Sequence, residues 1–590
     1  MADRPHRLID NAIGAILGAA CGDALGWPNE RVGRSSFRNR QSQASLQEFT
    51  RWTRRSGGRY YPHEEVIEAG DYSDDTQLIL CLARSLLRGN QWWDYFCRIE
   101  LPFWSLYERG GGGATKRSVD AWTDGVPPWS RERTTKDVKR YFDAGGNGVA
   151  MRVLPHVIFY ANVEDFACVA ENILLDGIAT HGHPRALVGA LAYGYALWGA
   201  IRRTGSLKFG EVVEDLLDNS IKWASLPEVG GAYYEWLEAA NLRVSTYEKL
   251  WKATVDEMTS LLETCREELS KGAMSVDDDA LRALHCFDKK ISGAGTVATA
   301  SAVFLASRYA PDPIHGLTKA ANAIGADTDT IASMTGGLLG TFSGSEWLSS
   351  LKSTVQDSKY LAEIATALVT KNMAPKSAEI PVNGIRARLR RFMDMLLEKK
   401  AGDLVDMPDG RQGQILSGNE TIGKSGKFKV VFRKVACDDG QTLYFSKIKK
   451  GAFLTGTGRE PRKSRNGATQ LQRSLSFGPK LPVRSLEKAV RFYTEVLGLR
   501  IRKRTQEVIV FEQGLVLVPG NYPKTQFDGA QFRALIYIEL MDIEKRYSLA
   551  KDSGTRIVTP LSAWRNSKRS FFRCCDPDGN VIEVFSYETS

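Results

Sequence analysis

The chain has 590 residues, which is too many for one hydrophobic core, so its length predicts two to four domains. Hydrophobic residues make up 43% of the sequence and charged residues 25%, which excludes a largely disordered, collagen-like or membrane-spanning chain. The formal net charge of +10 is unevenly distributed. Residues 401–590 contain 32 Lys and Arg against 20 Asp and Glu, whereas residues 1–400 carry a net charge of −2.

The nine cysteines are scattered, odd in number and free of any Cys-x-x-Cys spacing. This pattern fits neither a disulfide scaffold nor a thiolate zinc site, and it predicts a reducing, cytoplasmic location. The small apolar stretch 12–21 follows Arg4 and Arg7 and superficially resembles a leader. Asp10 and Asn11 interrupt that pattern, so we expect no cleaved leader and no membrane association.

Residues 1–398 show apolar residues at helical rather than alternating spacing, which predicts an all-α domain. Gly14, Gly18, Gly22 and Gly26 recur every four residues, so one stripe of the first helix has almost no side chains and predicts close helix packing. The predicted helices include 74–87, 163–179, 184–202, 208–217, 247–269, 294–309, 313–323, 330–339 and 385–399.

The pattern changes after Lys400 to short strands and turns, which predict a small β-barrel-like (SH3-like) module over residues 401–456. Residues 457–475 are polar and basic and predict a flexible linker. Residues 476–590 contain a repeated strand, helix and strands pattern. It predicts an α+β domain of two βαβββ halves forming one curved sheet.

Two acidic clusters precede apolar helices in the first domain: Ser73-Asp74-Asp75-Thr76 and Gly325-Ala-Asp327-Thr-Asp329-Thr330. Capping of helix N-termini explains one acid per helix but not a pair. Adjacent carboxylates repel each other unless a cation lies between them. Asp and Thr oxygens without His or Cys favour magnesium, manganese or calcium over zinc, so the spacing favours metal binding over capping alone.

Glycine-rich and histidine-bearing turns give weaker signals. They are 22–30, 110–115, 145–152 and the segment Thr180-His181-Gly-His183-Pro. Glycine runs leave backbone amides accessible to phosphate oxygens, but most such runs are ordinary loops, and a lone histidine is more often packed in the core or capping a helix.

The order and the residue sequences of these motifs resemble those of the ADP-ribosylglycohydrolase family over roughly residues 8–345. The family pattern has Gly-Asp-Ala-Leu-Gly, an acidic pair, Gly-Asn-Gly-x-x-Met-Arg, Thr-His and Gly-Gly-Asp-Thr-Asp-Thr in this order. Here Ala326 replaces a glycine and Ser73 replaces a common Thr. The resemblance implies an all-α fold with two divalent cations, Mg²⁺ or Mn²⁺. Its implied ligands are Ser73, Asp74, Asp75, Asp327, Asp329 and Thr330.

The resemblance further implies hydrolysis of a glycosidic bond between ADP-ribose and a target, with water attacking the anomeric carbon and a carboxylate as base. The implied catalytic residues are Asp74, Asp75, Asp327 and Glu30, although Glu30 reads equally well as an exposed loop acid. Gly146, Asn147, Gly148 and Met151 would face the diphosphate, and His181, Gly113 and Thr115 the ribose or adenine. The acceptor stays open among protein, nucleic acid and small molecule.

Residues 477–586 resemble the vicinal oxygen chelate (glyoxalase and bleomycin-resistance-like) superfamily, through the segments 486–499 and 575–585. Active members bind one metal through His, Gln and Glu. All seven histidines precede residue 316, the first ligand position falls near Gly478, and Glu583 is the only acid at a matching position. The resemblance therefore predicts a metal-free binding or scaffolding domain.

The basic excess of residues 401–590 is clustered, and clustered cations attract polyanions. We therefore consider nucleic acid as a partner, beside the ordinary explanation of a solvated basic face. Two other functions stay open: a sensor that binds ADP-ribose or a nucleotide without turnover, and a small-molecule-binding resistance protein acting through the C-terminal domain. The basic runs are 424–434, 447–450, 459–465, 500–504 and 565–573.

Overall fold

The structure is a computed structural model, and the chain divides into two compact units, Met1–Gly458 and Arg459–Ser590. The predicted linker 457–475, the basic run 459–465 and Gly478 lie outside the described residues. The described residues are 3–30, 47–58, 60–205, 207–230, 232–244, 247–372, 379–381, 383–423, 426–451, 480–504, 509–511, 515–519, 535–540, 542–563 and 569–587.

The first unit is mainly helical, as the periodicity predicts. Shorter helices span Trp92–Tyr95, Leu101–Trp104, Leu154–Phe159, Ser220–Ala224, Asp277–Ala283 and Leu351–Thr354. The longer helices are α1 Asp3–Gly26, α2 Asp74–Leu86, α3 Gly113–Thr123, α4 Thr135–Phe142, α5 Phe166–Ile178, α6 Pro184–Ile201, α7 Glu211–Asp218, α8 Ala232–Arg243, α9 Tyr247–Ser270, α10 Gly295–Arg308, α11 Pro313–Ala321, α12 Thr328–Ser343, α13 Ser358–Thr370 and α14 Ile385–Glu398.

The glycine stripe of α1 packs directly on the backbone of α12. A Cβ added to Gly14, Gly18, Gly22 or Gly26 would lie 2.0–2.3 Å from a carbonyl oxygen of the segment 328–344. No side chain fits at that distance, so glycine is required at each position. The close helix packing that the sequence predicts is present, and it brings the end of α1 to the start of α12.

The first unit also contains β structure. An antiparallel hairpin that the all-α prediction did not include, β1 Trp52–Ser56 and β2 His63–Ile67, precedes α2. A four-stranded antiparallel meander follows α14, formed by β3 Leu404–Asp406, β4 Gln412–Ile422, β5 Phe428–Cys437 and β6 Thr442–Lys450.

The meander shares one apolar core with the helices. Val435, Leu443 and Phe445 belong to the same buried cluster as Phe103 and Phe392. The ring centroids of Phe392 and Phe445 are 5.7 Å apart. The compact unit therefore extends to about residue 458, and the boundary that we place near residue 400 stays a prediction.

The second unit has the predicted βαβββ order twice. The first sheet contains β7 Lys480–Val483, β8 Ile501–Arg504, β9 Ile509–Phe511 and β10 Val516–Pro519, with helix α15 Leu486–Arg491. The second contains β11 Leu535–Glu539, β12 Ile557–Ala563, β13 Arg569–Cys575 and β14 Val581–Tyr587, with helix α16 Ile543–Asp552. Instead of one curved sheet, the described strands form two separate four-stranded sheets.

Two further observations concern the whole chain. All nine cysteines are free thiols, and seven of them are buried. By length and composition, one helix in the described ranges, His6–Asn29, could cross a membrane, and 78% of its apolar window is buried inside the structure.

Candidate active site

The first acid pair lies in the first turn of α2. Ser73 is the N-cap of this helix, and its side chain accepts a hydrogen bond from the backbone N–H of Asp75. Asp23 of α1 accepts further hydrogen bonds from the backbone N–H groups of Ser73 and Thr76 and from the Thr76 hydroxyl, the last at 2.7 Å. Capping is thus done by Ser73 and Asp23, which leaves the carboxylates of Asp74 and Asp75 for another role.

The second acid pair lies at the start of α12. Asp327 is the N-cap residue, but its side chain makes no capping hydrogen bond and instead accepts one from the Asn147 amide at 2.8 Å. Thr330 donates from its hydroxyl to Asp75 Oδ2 at 3.3 Å, which joins the two clusters. The structure therefore brings together two acid pairs that are about 250 residues apart in sequence.

Three carboxyl groups of this cluster are buried, that of Asp327 is half-buried, and they repel one another. Burial raises the pKa of Asp75 well above its usual value, and the neighbouring charges of Asp23, Asp74 and Asp327 raise it further. The pKa of Asp74 is raised by burial and then by the charge of Glu108. Burial and Asp327 have the same effect on the pKa of Asp329. This charge density needs compensation by cations.

The donor set fits hard divalent cations. Asp75 Oδ1 is buried and accepts no hydrogen bond from any described residue, and Ser73 and Thr330 place hydroxyl oxygens beside the carboxylates. Oxygen-only ligands of this kind suit Mg²⁺ or Mn²⁺. No three His, Cys, Asp or Glu side chains in the described ranges already enclose a single ion position. The residues thus offer oxygen ligands around a shared space, which cations would draw together.

Glu30 lies next to this cluster, four residues after the end of α1, and is half-buried. Its negative charge contributes to the raised pKa of both Asp74 and Asp329. The structure therefore places Glu30 near one member of each acid pair. Its catalytic role stays a prediction.

The Gly145–Arg152 turn lies against the cluster through Asn147 and against the segment after α5 through Gly148. A Cβ on Gly148 would lie 3.0 Å from the His181 ring and 3.2 Å from the Thr115 hydroxyl oxygen. A Cβ on Gly146 would be 3.9 Å from His181 Nε2. Four predicted substrate-binding residues, Gly146, Gly148, Thr115 and His181, therefore line one place beside the acid pairs.

His181 is buried and neutral over the physiological range. Burial and then the positive charges of Arg152 and Arg117 lower its pKa to about 3. Arg152 donates to the Thr180 hydroxyl oxygen at 2.9 Å, and that hydroxyl lies 2.8 Å from His181 Nδ1. The hydroxyl hydrogen is thus available to Nδ1, which favours the tautomer whose Nε2–H faces the glycine turn.

The other predicted residues differ in their surroundings. Met151 is buried in the apolar core, and Gly113 begins α3, two residues before Thr115. Their contacts with substrate stay predictions. Asp23 was missed as a functional residue, although it lies inside the Gly-Asp-Ala-Leu-Gly motif. A single acid in a glycine motif gives no sign of what it binds, whereas the structure shows that it fixes the first acid pair.

Comparisons with known proteins divide the chain into two regions. Residues 4–378 match the family profile described as ADP-ribosylglycohydrolase. Residues 475–584 match that of the Glyoxalase/Bleomycin resistance protein/Dioxygenase superfamily.

Among curated proteins, the chain is similar to the ADP-ribosyl-(dinitrogen reductase) glycohydrolase of Rhodospirillum rubrum, with 30% identity over 186 residues, or 31% of this chain and 56% of that protein. It is also similar to the uncharacterized protein YegU of Escherichia coli, with 24% identity over 57% of this chain and 88% of that protein. A solved structure titled "ADP-ribosylglycohydrolase-related protein complex" is covered completely by 62% of this chain, with 21% identity and a TM-score of 0.40.

Proposed function

Because the chain belongs to the ADP-ribosylglycohydrolase family over residues 4–378, we propose that it hydrolyses the glycosidic bond at the anomeric carbon of ADP-ribose and so releases ADP-ribose from a modified target. Family membership supports hydrolase activity. The single observation that carries the proposal for this chain is the joining of two acid pairs, at the starts of α2 and α12, beside the Gly146–Gly148 turn.

Two divalent cations, Mg²⁺ or Mn²⁺, are proposed as cofactors. Ser73, Asp74, Asp75, Asp327, Asp329 and Thr330 would hold them, and the bound cations would supply Lewis-acid chemistry at the ribose hydroxyls. Asp23 and Asn147 keep the carboxylates in place through their hydrogen bonds with α2 and with Asp327. Glu30, beside both acid pairs, is proposed as the carboxylate that accepts a proton from the attacking water.

The glycine turn and His181 are proposed to bind the nucleotide part of the substrate. Gly146 and Gly148 leave backbone amides uncovered, which suits the diphosphate oxygens. The neutral His181 ring can donate a hydrogen bond from Nε2 without adding a charge. Thr115 adds a hydroxyl group on the same side.

The glyoxalase-like region is proposed to act as a recognition domain without a metal. Glu583 is fully buried and its Oε2 accepts two hydrogen bonds from Arg573, at 2.9 and 2.8 Å. This ion pair neutralises the only acid that matches a metal-ligand position. The nine free thiols support a reducing compartment, and we propose the cytoplasm.

The test is a panel of mono-ADP-ribosylated protein, DNA, RNA and small molecules, each incubated with and without a chelator. We expect free ADP-ribose from at least one substrate, lost on chelation and restored by Mg²⁺ or Mn²⁺. The Asp327→Ala, Asp329→Ala double variant should lose at least 100-fold in activity with an unchanged circular dichroism spectrum. Full activity in this folded variant would refute the proposal, and binding of ADP-ribose without hydrolysis would identify a sensor.

A further inference from the structure

A cleft of about 1060 Å³ lies beside the proposed active site, inside the first unit. One wall is the β1–β2 hairpin, and the opposite wall is the face of β4, β5 and β6. The segment from Ser105 to Lys116, which leads into the Gly110–Thr115 turn, also lines it. Because the meander follows residue 400, this cleft depends on a part of the chain outside the matched region 4–378.

The same short segments of the chain contact both the cleft and the acid pairs. Glu108 lines the cleft, accepts a hydrogen bond from the Gly111 backbone at 2.9 Å and raises the pKa of Asp74. Tyr444 on β6 donates to Asp71, three residues before Asp74, at 3.2 Å. The cleft therefore borders the segments that hold Asp74 at the acid site.

The cleft is basic. Its lining contains seven Arg and Lys side chains and four Glu side chains, and three of those acids are already ion-paired. Among the described residues, neither Arg55 nor Lys434 forms an ion pair. Arg55 is exposed and lies opposite Glu64 on the neighbouring strand, and Nζ of Lys434 lies 5.2 Å from the centroid of the Tyr444 ring. These two cations remain available for an anionic ligand.

Aromatic side chains lie beside these cations in the lining of the cleft. Phe432 and His63 are half-buried and meet edge to face across the cleft, with ring centroids 5.9 Å apart. The ring of Tyr444 lies between Arg109 and Lys434. Cations that follow a backbone of phosphates, interleaved with rings on which bases stack, are typical of surfaces that bind single-stranded nucleic acid.

We propose that this cleft binds a single nucleic-acid strand as the acceptor part of the substrate. The inference rests on the proposed hydrolysis of ADP-ribosyl bonds and adds the class of acceptor. The presence of rings beside the cations favours a nucleic-acid strand over an acidic peptide, which would use the cations but not the rings. A duplex presents its bases stacked and leaves the rings without partners.

The first experiment measures binding by the full-length protein, without ADP-ribose, through fluorescence anisotropy of a labelled 12-nucleotide strand over a series of salt concentrations. We compare Arg55→Gln, Lys434→Gln with the charge-matched control Lys139→Gln, Lys359→Gln, whose side chains are 72% and 90% exposed and lie outside the cleft. The cleft variant should bind about tenfold more weakly, and the slope of log K against log salt should fall in magnitude by about 1.4, since each phosphate contact on a single strand contributes about 0.7. The control should stay within twofold of wild type.

A third variant and a second ligand test whether the aromatic rings contribute to binding of the strand. Phe432→Leu should weaken binding of the single strand several-fold and leave binding of a labelled poly-glutamate peptide unchanged. Equal binding of the strand by wild type and the Arg55, Lys434 variant would overturn the proposal, since binding would then lie elsewhere. Tighter cleft-dependent binding of the peptide or of a duplex would overturn the choice of a single strand.

The second experiment measures hydrolysis. The Arg55, Lys434 variant should raise KM for ADP-ribosylated single-stranded DNA or RNA about tenfold, and leave kcat/KM for an ADP-ribosylated small molecule within twofold of wild type. Absence of hydrolysis with every substrate, together with cleft-dependent strand binding, would refute the proposed function but keep the binding site. Hydrolysis of ADP-ribosylated substrates without any strand binding would refute the binding site but keep the proposed function.

Discussion

Asp23 shows how a single buried carboxylate on one helix can fix the first turn of another. It lies on α1, is fully buried, and accepts hydrogen bonds from the backbone of Ser73 and from both the backbone and the hydroxyl of Thr76. These bonds fix the first turn of α2, which carries Asp74 and Asp75. A residue on one helix thus sets the direction of two carboxylates on another.

Asp23→Asn replaces one acceptor oxygen by an amide that points hydrogens at existing donors. We expect a loss of about 1–3 kcal/mol in stability, because buried donors lose their partner. If Asp23 had a purely structural role, this loss of stability would be the only effect of the substitution. As a positioning residue, Asp23 should also raise the Mg²⁺ concentration needed for half-maximal activity at least tenfold, measured by metal titration of the folded variant. An unchanged titration would contradict this role.

His181 makes stability depend on pH. Its pKa is about 3 in the folded protein and about 6.5 in an unfolded chain, so below pH 6.5 the unfolded state takes up a proton that the folded state does not. The folded protein therefore keeps its full stability above pH 6.5. It loses stability as the pH falls from 6.5 toward 3, because only the unfolded state binds the proton at His181 in this range. At pH 4.5 the loss amounts to about 2–3 kcal/mol.

His181→Gln should remove this dependence. Urea denaturation measures the free energy of unfolding at pH 7 and at pH 4.5. Between these two pH values, the free energy of unfolding should fall by about 2 kcal/mol less for the variant than for wild type. His315→Gln, at an exposed position, is the matched control. Parallel pH profiles for wild type and His181→Gln would show that the ring is not held neutral.

Helices α1 and α12 behave as one element because their backbones touch. A Cβ on Gly22 would lie 2.1 Å from the Ala332 carbonyl oxygen, and neither helix can yield without losing the contacts of its neighbours. Gly22→Ala should therefore destabilise the protein by about 3 kcal/mol, at the upper end of overpacking effects. Thermal unfolding measures it, with Gly230→Ala, which has open space around it, as control. Equal stability of the two variants would contradict direct backbone contact.

Elements with a strong apolar period were predictable, and those fixed by long-range pairing were not. The predicted helix 74–87 is observed as Asp74–Leu86, and 385–399 as Ile385–Glu398. The β1–β2 hairpin was missed because its residues, Trp52–Ser56 and His63–Ile67, include several charged side chains. Strand β4 has the same difficulty, since its residues from Leu416 to Thr421 are all exposed and show no apolar alternation.

At the scale of the molecule, the meander completes the helical unit. Arg84 on α2 donates to Glu100 and to Gln441, and Arg411 donates to the same Gln441 oxygen. The apolar face of the meander covers Phe103 and Phe392. The family motifs identified the site, but no local pattern shows that a later segment covers its helices.

Chain length should therefore decide whether the first unit folds. We expect residues 1–458 to unfold cooperatively and residues 1–400 to aggregate or lose near-ultraviolet circular dichroism. The shorter chain leaves the rings of Phe103 and Phe392 in water and removes Gln441, which accepts a hydrogen bond from Arg84. A stable, cooperative fragment 1–400 would instead support the separate domain boundary near residue 400.

The contact between α1 and α12 also sets a condition on synthesis. Residues 3–26 are synthesised about 300 residues before the surface of α12 that receives their glycine stripe, and the second acid pair lies at the start of that same helix. Chains with such distant contacts fold slowly, because a long loop must close first. A nascent chain therefore exposes an apolar helix until residue 343 has emerged. During that interval, α1 is the segment that a chaperone would be expected to bind.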